Sequence, residues 1–463
     1  MVKVKLKSLA TAAAGAVLVM PAVSAYAQTA LSAVSGVAAS DLVIKGPATG
    51  DGRSQILRPD SGIAKPGDVG QRARTHYRIV VPSTGEPSLN KVQPQAKVSP
   101  NVGPPFSGYY YNTPASLACI YGLVASDGAC NPNTFTTVAT GGSKAIAVVD
   151  AYHYSSALSD LQAYSTQFGL PAPNLTVVFA SGSQPDANSG WTLESALDIQ
   201  MAHAMAPNAN IYLVEAASSS LADLDTAVDK AVQLVQAAGG GQVSMSYGNG
   251  EFAQQVNEDV HFQNKTNVVF FASTGDDPGI EFPSSSPNVV AVGGTTIARA
   301  WAVPANRGKF REESAWDQGG SGYSAYFPQP SYQNGVAARL GNMNARVTPD
   351  IAAIANPNTP VWVLCTACTS GGWYGVGGTS AAAPLMAGLV NNAGQFRANT
   401  QAQLTFMYSK IGTNAYFDVR RSFCGPEAGY YATTPSIDSP NGDPAFQFDL
   451  CTGLGSPRGL SGL

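Results

Sequence analysis

Five short apolar runs constrain the fold of this chain more than any other feature: residues 145–149, 175–179, 211–214, 243–245 and 268–271. They are nearly continuous, with none of the polar alternation that marks a half-solvated strand. Between them lie segments of helical period, such as Leu158/Leu161/Tyr164/Phe168 and Leu221/Leu224/Val228/Val232/Val235. Strands that are apolar on both faces and separated by helices imply a doubly wound, mainly parallel sheet with helices on both faces, an α/β fold. In such a sheet ligands bind beyond the carboxyl ends of the strands, which here lead into Asp150, Ser246-Tyr-Gly248 and Ser273-Thr-Gly-Asp276.

The chain divides into three segments. Residues 1–27 combine Lys3, Lys5 and Lys7 with an apolar stretch and Ala25-Tyr-Ala27, the pattern of a secretory signal cut after Ala27. The stretch is too short to span a bilayer, so a soluble protein, secreted or periplasmic, is expected. Residues 28–105 are rich in Gly, Pro, Ser and Ala and carry 9 basic and 5 acidic residues, net +4; they read as a leader or pro-segment, or as a disordered linker. Residues 106–463 carry 14 basic and 25 acidic residues, net −11, and form the α/β domain. That asymmetry lets the leader rest electrostatically against the remainder.

Only 12% of residues are charged, about half of the ~25% usual for a globular protein, and no basic run outside the first residues could serve a nucleic acid. In an exported chain the six cysteines read as three local disulfides, Cys119/Cys130, Cys365/Cys368 and Cys424/Cys451, rather than as redox or zinc sites. Cys365-Thr-Ala-Cys368 has the spacing of a redox motif, but the segment reads as a loop and not as a strand-to-helix turn.

Chemistry concentrates in Gly377-Gly-Thr-Ser-Ala-Ala-Ala-Pro384, where Ser380 stands at the start of a helix and Pro384 is expected in its first turn. Orphan N–H groups and the helix dipole suit a nucleophile there; the plainer reading is an N-cap. None of His76, His153, His203 and His261 precedes a glycine, so a histidine base in a His-Gly-Thr setting is absent. Residues 190–207 instead read as a helix that puts Glu194 and Asp198 four apart on one face, where two carboxylates raise the pKa of one and tend to share a proton.

These strings resemble the sedolisins, or serine-carboxyl peptidases, which share the Gly-Thr-Ser motif with the subtilisins. The resemblance covers about residues 106–463 and also takes in Gly319-Gly-Ser-Gly-Tyr-Ser-Ala-Tyr326. It implies a subtilisin-like fold and an endopeptidase with Ser380 as nucleophile, Glu194 as general base and acid, and Asp198 orienting Glu194. Asp276, with Asp277 as the adjacent competitor, would stabilise the oxyanion; a carboxyl can donate there only when protonated, so acid action is implied. Ser244, Ser246 and Gly248 would align a peptide substrate, and Asp150 would line or support the cleft.

The resemblance further implies one structural Ca2+, held by the side chains of Asp418 and Asp449 and the carbonyls of Val419, Ala445 and Gln447. Ala445 and Gln447 stand where the family usually has glycine, and only 78 residues separate Ala27 from Phe106, where it usually carries a long prodomain. A monomer acting on peptides or proteins is expected. The competing readings are an inactive exported binding protein of the same fold and an aspartic peptidase, whose Asp-Ser-Gly signature occurs once, at Asp60.

Overall fold

The computed structural model describes residues 42–44, 54–82, 103–105, 109–300, 304–337, 340, 344–368, 372–419, 423–424, 431–432 and 448–463. The signal-like residues 1–27, Ala445 and Gln447 lie outside the described residues.

The strands run in chain order as β1 (Leu42–Ile44), β2 (Ser54–Arg58), β3 (Arg74–Thr75), β4 (Arg78–Pro82), β5 (Ala145–Ala151), β6 (Asn174–Phe179), β7 (Asn210–Ala216), β8 (Gly241–Met245) and β9 (Tyr247–Gly250). They continue as β10 (Val268–Ser273), β11 (Glu281–Phe282), β12 (Val290–Arg299), β13 (Phe310–Ala315), β14 (Gly322–Pro328), β15 (Ala345–Thr348), β16 (Ile351–Ile354), β17 (Val361–Cys365) and β18 (Gly372–Gly377). The longer helices are α1 (Pro114–Ile120), α2 (Ala157–Phe168), α3 (Ser189–Met205), α4 (Leu221–Ala237), α5 (Thr379–Ala393) and α6 (Thr400–Tyr408).

All five apolar runs are strands of one eight-stranded sheet, ordered β13-β12-β10-β8-β5-β7-β6, with β16 also pairing β12. Every pairing within it is parallel except β12 with β13. The doubly wound arrangement expected from the runs is therefore present, and the fold is subtilisin-like. One hydrophobic cluster joins Leu197 and Met201 of α3 with Leu385 and Leu389 of α5, and a second joins Val228 and Val235 of α4 with Val149 and Val243.

Helix α3 is buried all round: every side chain from Trp191 to Met205 is enclosed, the charged ones included. It packs most extensively against α5. A Cβ at Gly388 would come within 2.8 Å of the Met205 Cβ and 2.9 Å of the Ala202 carbonyl, so glycine there lets the two helices approach closely. That approach sets the carboxylates of α3 beside the start of α5. The site is braced from below by a buried bidentate pair, Arg346 with Asp350 at 2.5 and 2.6 Å, which anchors β16. The residue after β16, Ala355, accepts the Gly378 N–H at 2.5 Å.

The leader requires a correction. Residues 54–82 are folded and not a disordered linker. Strands β1, β2 and β4 form one sheet with β18 and β17, and β3 pairs antiparallel with β9, which pairs with β11. The physical reason is pairing with remote partners: Val80 is fully buried opposite Gly375, while the run that contains it is too short to announce a strand by itself.

The loop reading of Cys365-Thr-Ala-Cys368 also requires a correction. Cys365 is the last residue of β17 and pairs with Gly372 of β18; Cys368 stands in the bend just beyond it. Cys368 is buried as well, and both cysteines belong to the hydrophobic cluster that holds α3 and α5, so the disulfide between them is core structure rather than part of a site. The reason is a hairpin: β17 finds its neighbour β18 only after the chain has turned back through residues 366–371.

Candidate active site

Ser380 is the second residue of α5, and Gly378, with φ 117°, holds the N-cap position, so Ser380 is not itself the cap. Pro384 is the sixth helical residue rather than part of the first turn. Its missing N–H removes the donor that the Ser380 carbonyl would have received four residues along. Ser246 fills the gap: its hydroxyl donates to the Ser380 carbonyl at 3.3 Å, and the Ser380 hydroxyl donates to the Ser246 carbonyl at 3.2 Å. Ser380 is thereby pinned to the residue after β8 by a reciprocal pair.

Glu194 and Asp198 are both fully buried. Burial first, then the charge of Asp150, pushes the Glu194 carboxyl well above the usual range; the same two causes, joined by Glu194 itself, do so for Asp198. No hydrogen bond of ordinary length and angle reaches either carboxyl from the described residues. The Ser380 hydroxyl is nevertheless near enough to favour the charged form of Glu194. Asp150, the end-of-strand carboxyl expected to line the cleft, is a third member of this group, pushed up to about 7 by burial despite the opposing Ser195 hydroxyl. Three carboxyls in one dry region cannot all be ionised, so the group holds protons where a nucleophile's proton would have to go.

Asp276 and Asp277 diverge. Asp276 is buried; its Oδ1 accepts the Thr379 N–H at 2.8 Å and the Thr379 hydroxyl at 3.0 Å, while its Oδ2 has no hydrogen-bond partner among the described residues. Burial raises its pKa, against the nearby Arg78 and His76. Asp277, partly exposed, is drawn down to about 2: burial works upward, but the Arg58 and Arg74 guanidiniums outweigh it. Neighbouring carboxyls are thus split into an acid and an anion, as sites with divided roles require.

The leader lies directly across this site. The Ser380 N–H donates to the His76 carbonyl at 3.0 Å, and the His76 N–H donates to Ser380 Oγ at 3.2 Å. A Cβ on Gly378 would fall 2.2 Å from the His76 carbonyl oxygen and 2.7 Å from Asp276 Oδ2, so only glycine leaves room for both. Upstream, Arg74 and Thr75 pair with Gly248 and Tyr247 of β9, the segment expected to align a substrate. Ser244, also expected there, is buried in β8 and behind this contact surface. The leader's positive charge meets the acidic face as anticipated, through Arg58, Arg74 and Arg78 with Asp276, Asp277 and Glu281.

Sequence reasoning missed His76, Arg74, Arg78 and Glu281; the signal available was the basic excess of the leader. His153 bonds Glu215 at 2.8 Å, and His203 bonds the Pro171 carbonyl at 3.1 Å, so both are structural. Asp60 lies in an exposed single 3-10 turn. The cysteines pair as expected, Cys119 with Cys130, Cys365 with Cys368 and Cys424 with Cys451. Asp449 is buried in a tight turn, its carboxylate accepting the N–H groups of Cys451 and Thr452 at 2.6 and 2.8 Å, and the charge of Asp418 acts on it. Val419 is buried beside them. Carboxylate oxygens such as those of Asp418 and Asp449 are hard donors of the type that a calcium ion takes.

Fold and site together define a subtilisin-like α/β protein in which buried carboxyls adjoin the serine at the start of α5. The subtilase family profile matches residues 180–405. Kumamolisin of Bacillus sp. (strain MN-32) is 29% identical over 65% of this chain and 56% of its own length; sedolisin of Pseudomonas sp. (strain 101) is 26% identical over 56% and 49%. The chain spans about half the length of these relatives. The solved structure of Pseudomonas sedolisin (serine-carboxyl proteinase), complexed with two molecules of pseudo-iodotyrostatin, shares the fold, with a TM-score of 0.59 at 23% identity over 75% of this chain and 95% of that one. The chain is thus similar to the subtilases over residues 180–405 and to the sedolisins over about half of their length.

Proposed function

We propose that the protein is an exported, acid-acting serine-carboxyl endopeptidase whose leader occupies the cleft as a substrate would. The observation that carries this reading is the Ser380 N–H on the His76 carbonyl, with Ser380 Oγ 3.2 Å from the His76 nitrogen. A peptide unit so placed has its carbonyl carbon beside the nucleophile and its oxygen in the oxyanion position.

In the reaction, Glu194 takes the Ser380 proton as Oγ attacks the carbonyl carbon. Asp198 orients Glu194 and shares its proton load. The Ser380 N–H and the protonated Asp276 stabilise the oxyanion, and Glu194 then returns the proton to the leaving amine, giving an acyl-enzyme that water hydrolyses. Residues 1–27 serve as the export signal. Peptide hydrolysis from pH 2 to 8 tests this: the wild type should be active on the acid side only, with Ser380→Ala and Glu194→Ala inert. Variants that cleave as well as the wild type would remove the mechanism.

One structural calcium ion is assigned to the Asp418 and Asp449 carboxylates and the Val419, Ala445 and Gln447 carbonyls. When bound it supplies positive charge between two carboxylates that otherwise repel. Chelation is expected to lower the unfolding temperature and added Ca2+ to restore it; an unchanged temperature would count against the site.

A further inference from the structure

We propose that the Ser246 side chain is a positioning residue for the nucleophile: its hydroxyl stands in for the N–H that Pro384 cannot supply and so fixes where Ser380 presents its Oγ. The inference rests on the peptidase reading and adds a residue to its machinery.

The first turn of α5 is held by groups from outside the helix. The Gly378 N–H goes to the Ala355 carbonyl and the Thr379 N–H to Asp276, while the Thr379 hydroxyl accepts the Gly275 N–H at 3.1 Å. The Ser380 carbonyl is the acceptor that the helix itself serves badly. In a regular helix it would take its hydrogen bond from residue 384, but that residue is proline, which has no N–H and whose ring crowds the carbonyl four residues back. A carbonyl buried without a donor is costly, and Ser380 is fully buried. The Ser246 hydroxyl, 3.3 Å away, is the donor that answers it.

Ser246 is itself held firmly. It is fully buried and directly follows β8, which lies between β5 and β10 in the middle of the sheet; Met245 pairs with Val149 on one side and Ala272 on the other. The Ser380 hydroxyl donates back to the Ser246 carbonyl at 3.2 Å, which closes a ring between the two residues. The Ser246 hydroxyl is also near enough to Asp198 to favour its charged form. One side chain therefore acts on both the backbone of the nucleophile and the carboxyl that orients Glu194. With its hydroxyl turned to α5, only the backbone of Ser246 is left to align a peptide. A bond from the centre of the sheet to the main chain of the reacting residue keeps the attack distance from drifting, and a misplacement of ~1 Å costs about 100-fold in rate.

A double-mutant cycle between Ser246→Ala and Pro384→Ala tests the proposal, because alanine at 384 restores an N–H four residues after Ser380. Peptide hydrolysis is followed with the full-length chain after acid incubation. In the wild-type background Ser246→Ala should lower kcat about 10- to 100-fold with KM little changed; in Pro384→Ala the same change should cost about 3-fold or less. Ser246→Cys, nearly the same shape with a weaker donor, should fall between wild type and Ser246→Ala, and it carries the comparison if the alanine variant fails to fold. Equal losses in the two backgrounds, or a loss confined to KM, would overturn the assignment. Thermal unfolding of the same four proteins is read independently of turnover. Where the wild type hydrolyses peptide, coupling between the two positions in unfolding temperature but none in kcat would also overturn it, since the bond would then be structural only. Coupling in unfolding temperature with no hydrolysis by any of the four would leave the Ser246 contact standing and remove the peptidase reading instead.

Discussion

Full-length protein brought to acid pH is expected to cut its own backbone between His76 and Tyr77, and Ser380→Ala to leave it intact. The His76 carbonyl already receives the Ser380 N–H at 3.0 Å, and Tyr77 on the leaving side is held by its hydroxyl on the Gly190 carbonyl at 2.7 Å. Reactants held at such separations need no further encounter. Removing the nucleophile of a serine peptidase costs on the order of 10^6 in rate, so the contrast should be all or none on a gel. Mass spectrometry of the product should find Tyr77 as the new N-terminus. A cut at another bond, or the same cut in Ser380→Ala, would show that the leader is docked but not processed by this serine.

The second large effect concerns Asp276. Burial raises its pKa, so its acid form, the only form able to donate, persists above the ordinary carboxyl range and is lost as pH rises through the raised value. Activity should therefore fall on the alkaline side with this titration. Asp276→Ala should lose about 10^2- to 10^3-fold in kcat, the usual cost of one oxyanion donor. Asp276→Asn offers an N–H donor at every pH and should move the alkaline limb upward while keeping more of the rate than Asp276→Ala. An unmoved alkaline limb in Asp276→Asn would assign the titration to the Glu194, Asp198 and Asp150 group instead.

The parallel sheet was legible because its strands are apolar on both faces, a pattern carried within each run. Ser380, Glu194, Asp198 and Asp276 were legible through motif resemblance, and the four-residue spacing of the carboxylates made chemical sense of two of them. What was not legible depended on distance: β4 finds β18 almost 300 residues away, and nothing in Arg74-Thr-His-Tyr-Arg78 says that it meets Glu281. The pairing of Cys365 with Cys368 could be read from their closeness in the chain, whereas the strand that ends at Cys365 could not, since it depends on Gly372 lying opposite. The placement of Pro384 failed for a local reason. A helix that begins at Thr379 puts the proline in its second turn, and only the hydroxyl of Ser246, on another strand, makes that tolerable.

Strand β4 lies between β2 and β18, and the bond expected to break joins the stretch that bears β2 to the one that begins β4. Breaking it would therefore not free anything. The N-terminal fragment would stay hydrogen-bonded along β2 and β4, its new carboxylate end still resting on Ser380 at a local concentration no free peptide could match. Escape is a separate event, and its grip has a known pH sign. Asp277 is held at about 2, so its bonds to Arg58 and Arg74 contribute fully above the ordinary carboxyl value near ~4 and fade as pH falls from there towards 2. The molecule is thus built as a nicked two-chain complex in waiting, whose onset of activity would follow strand dissociation and show a lag after the cut.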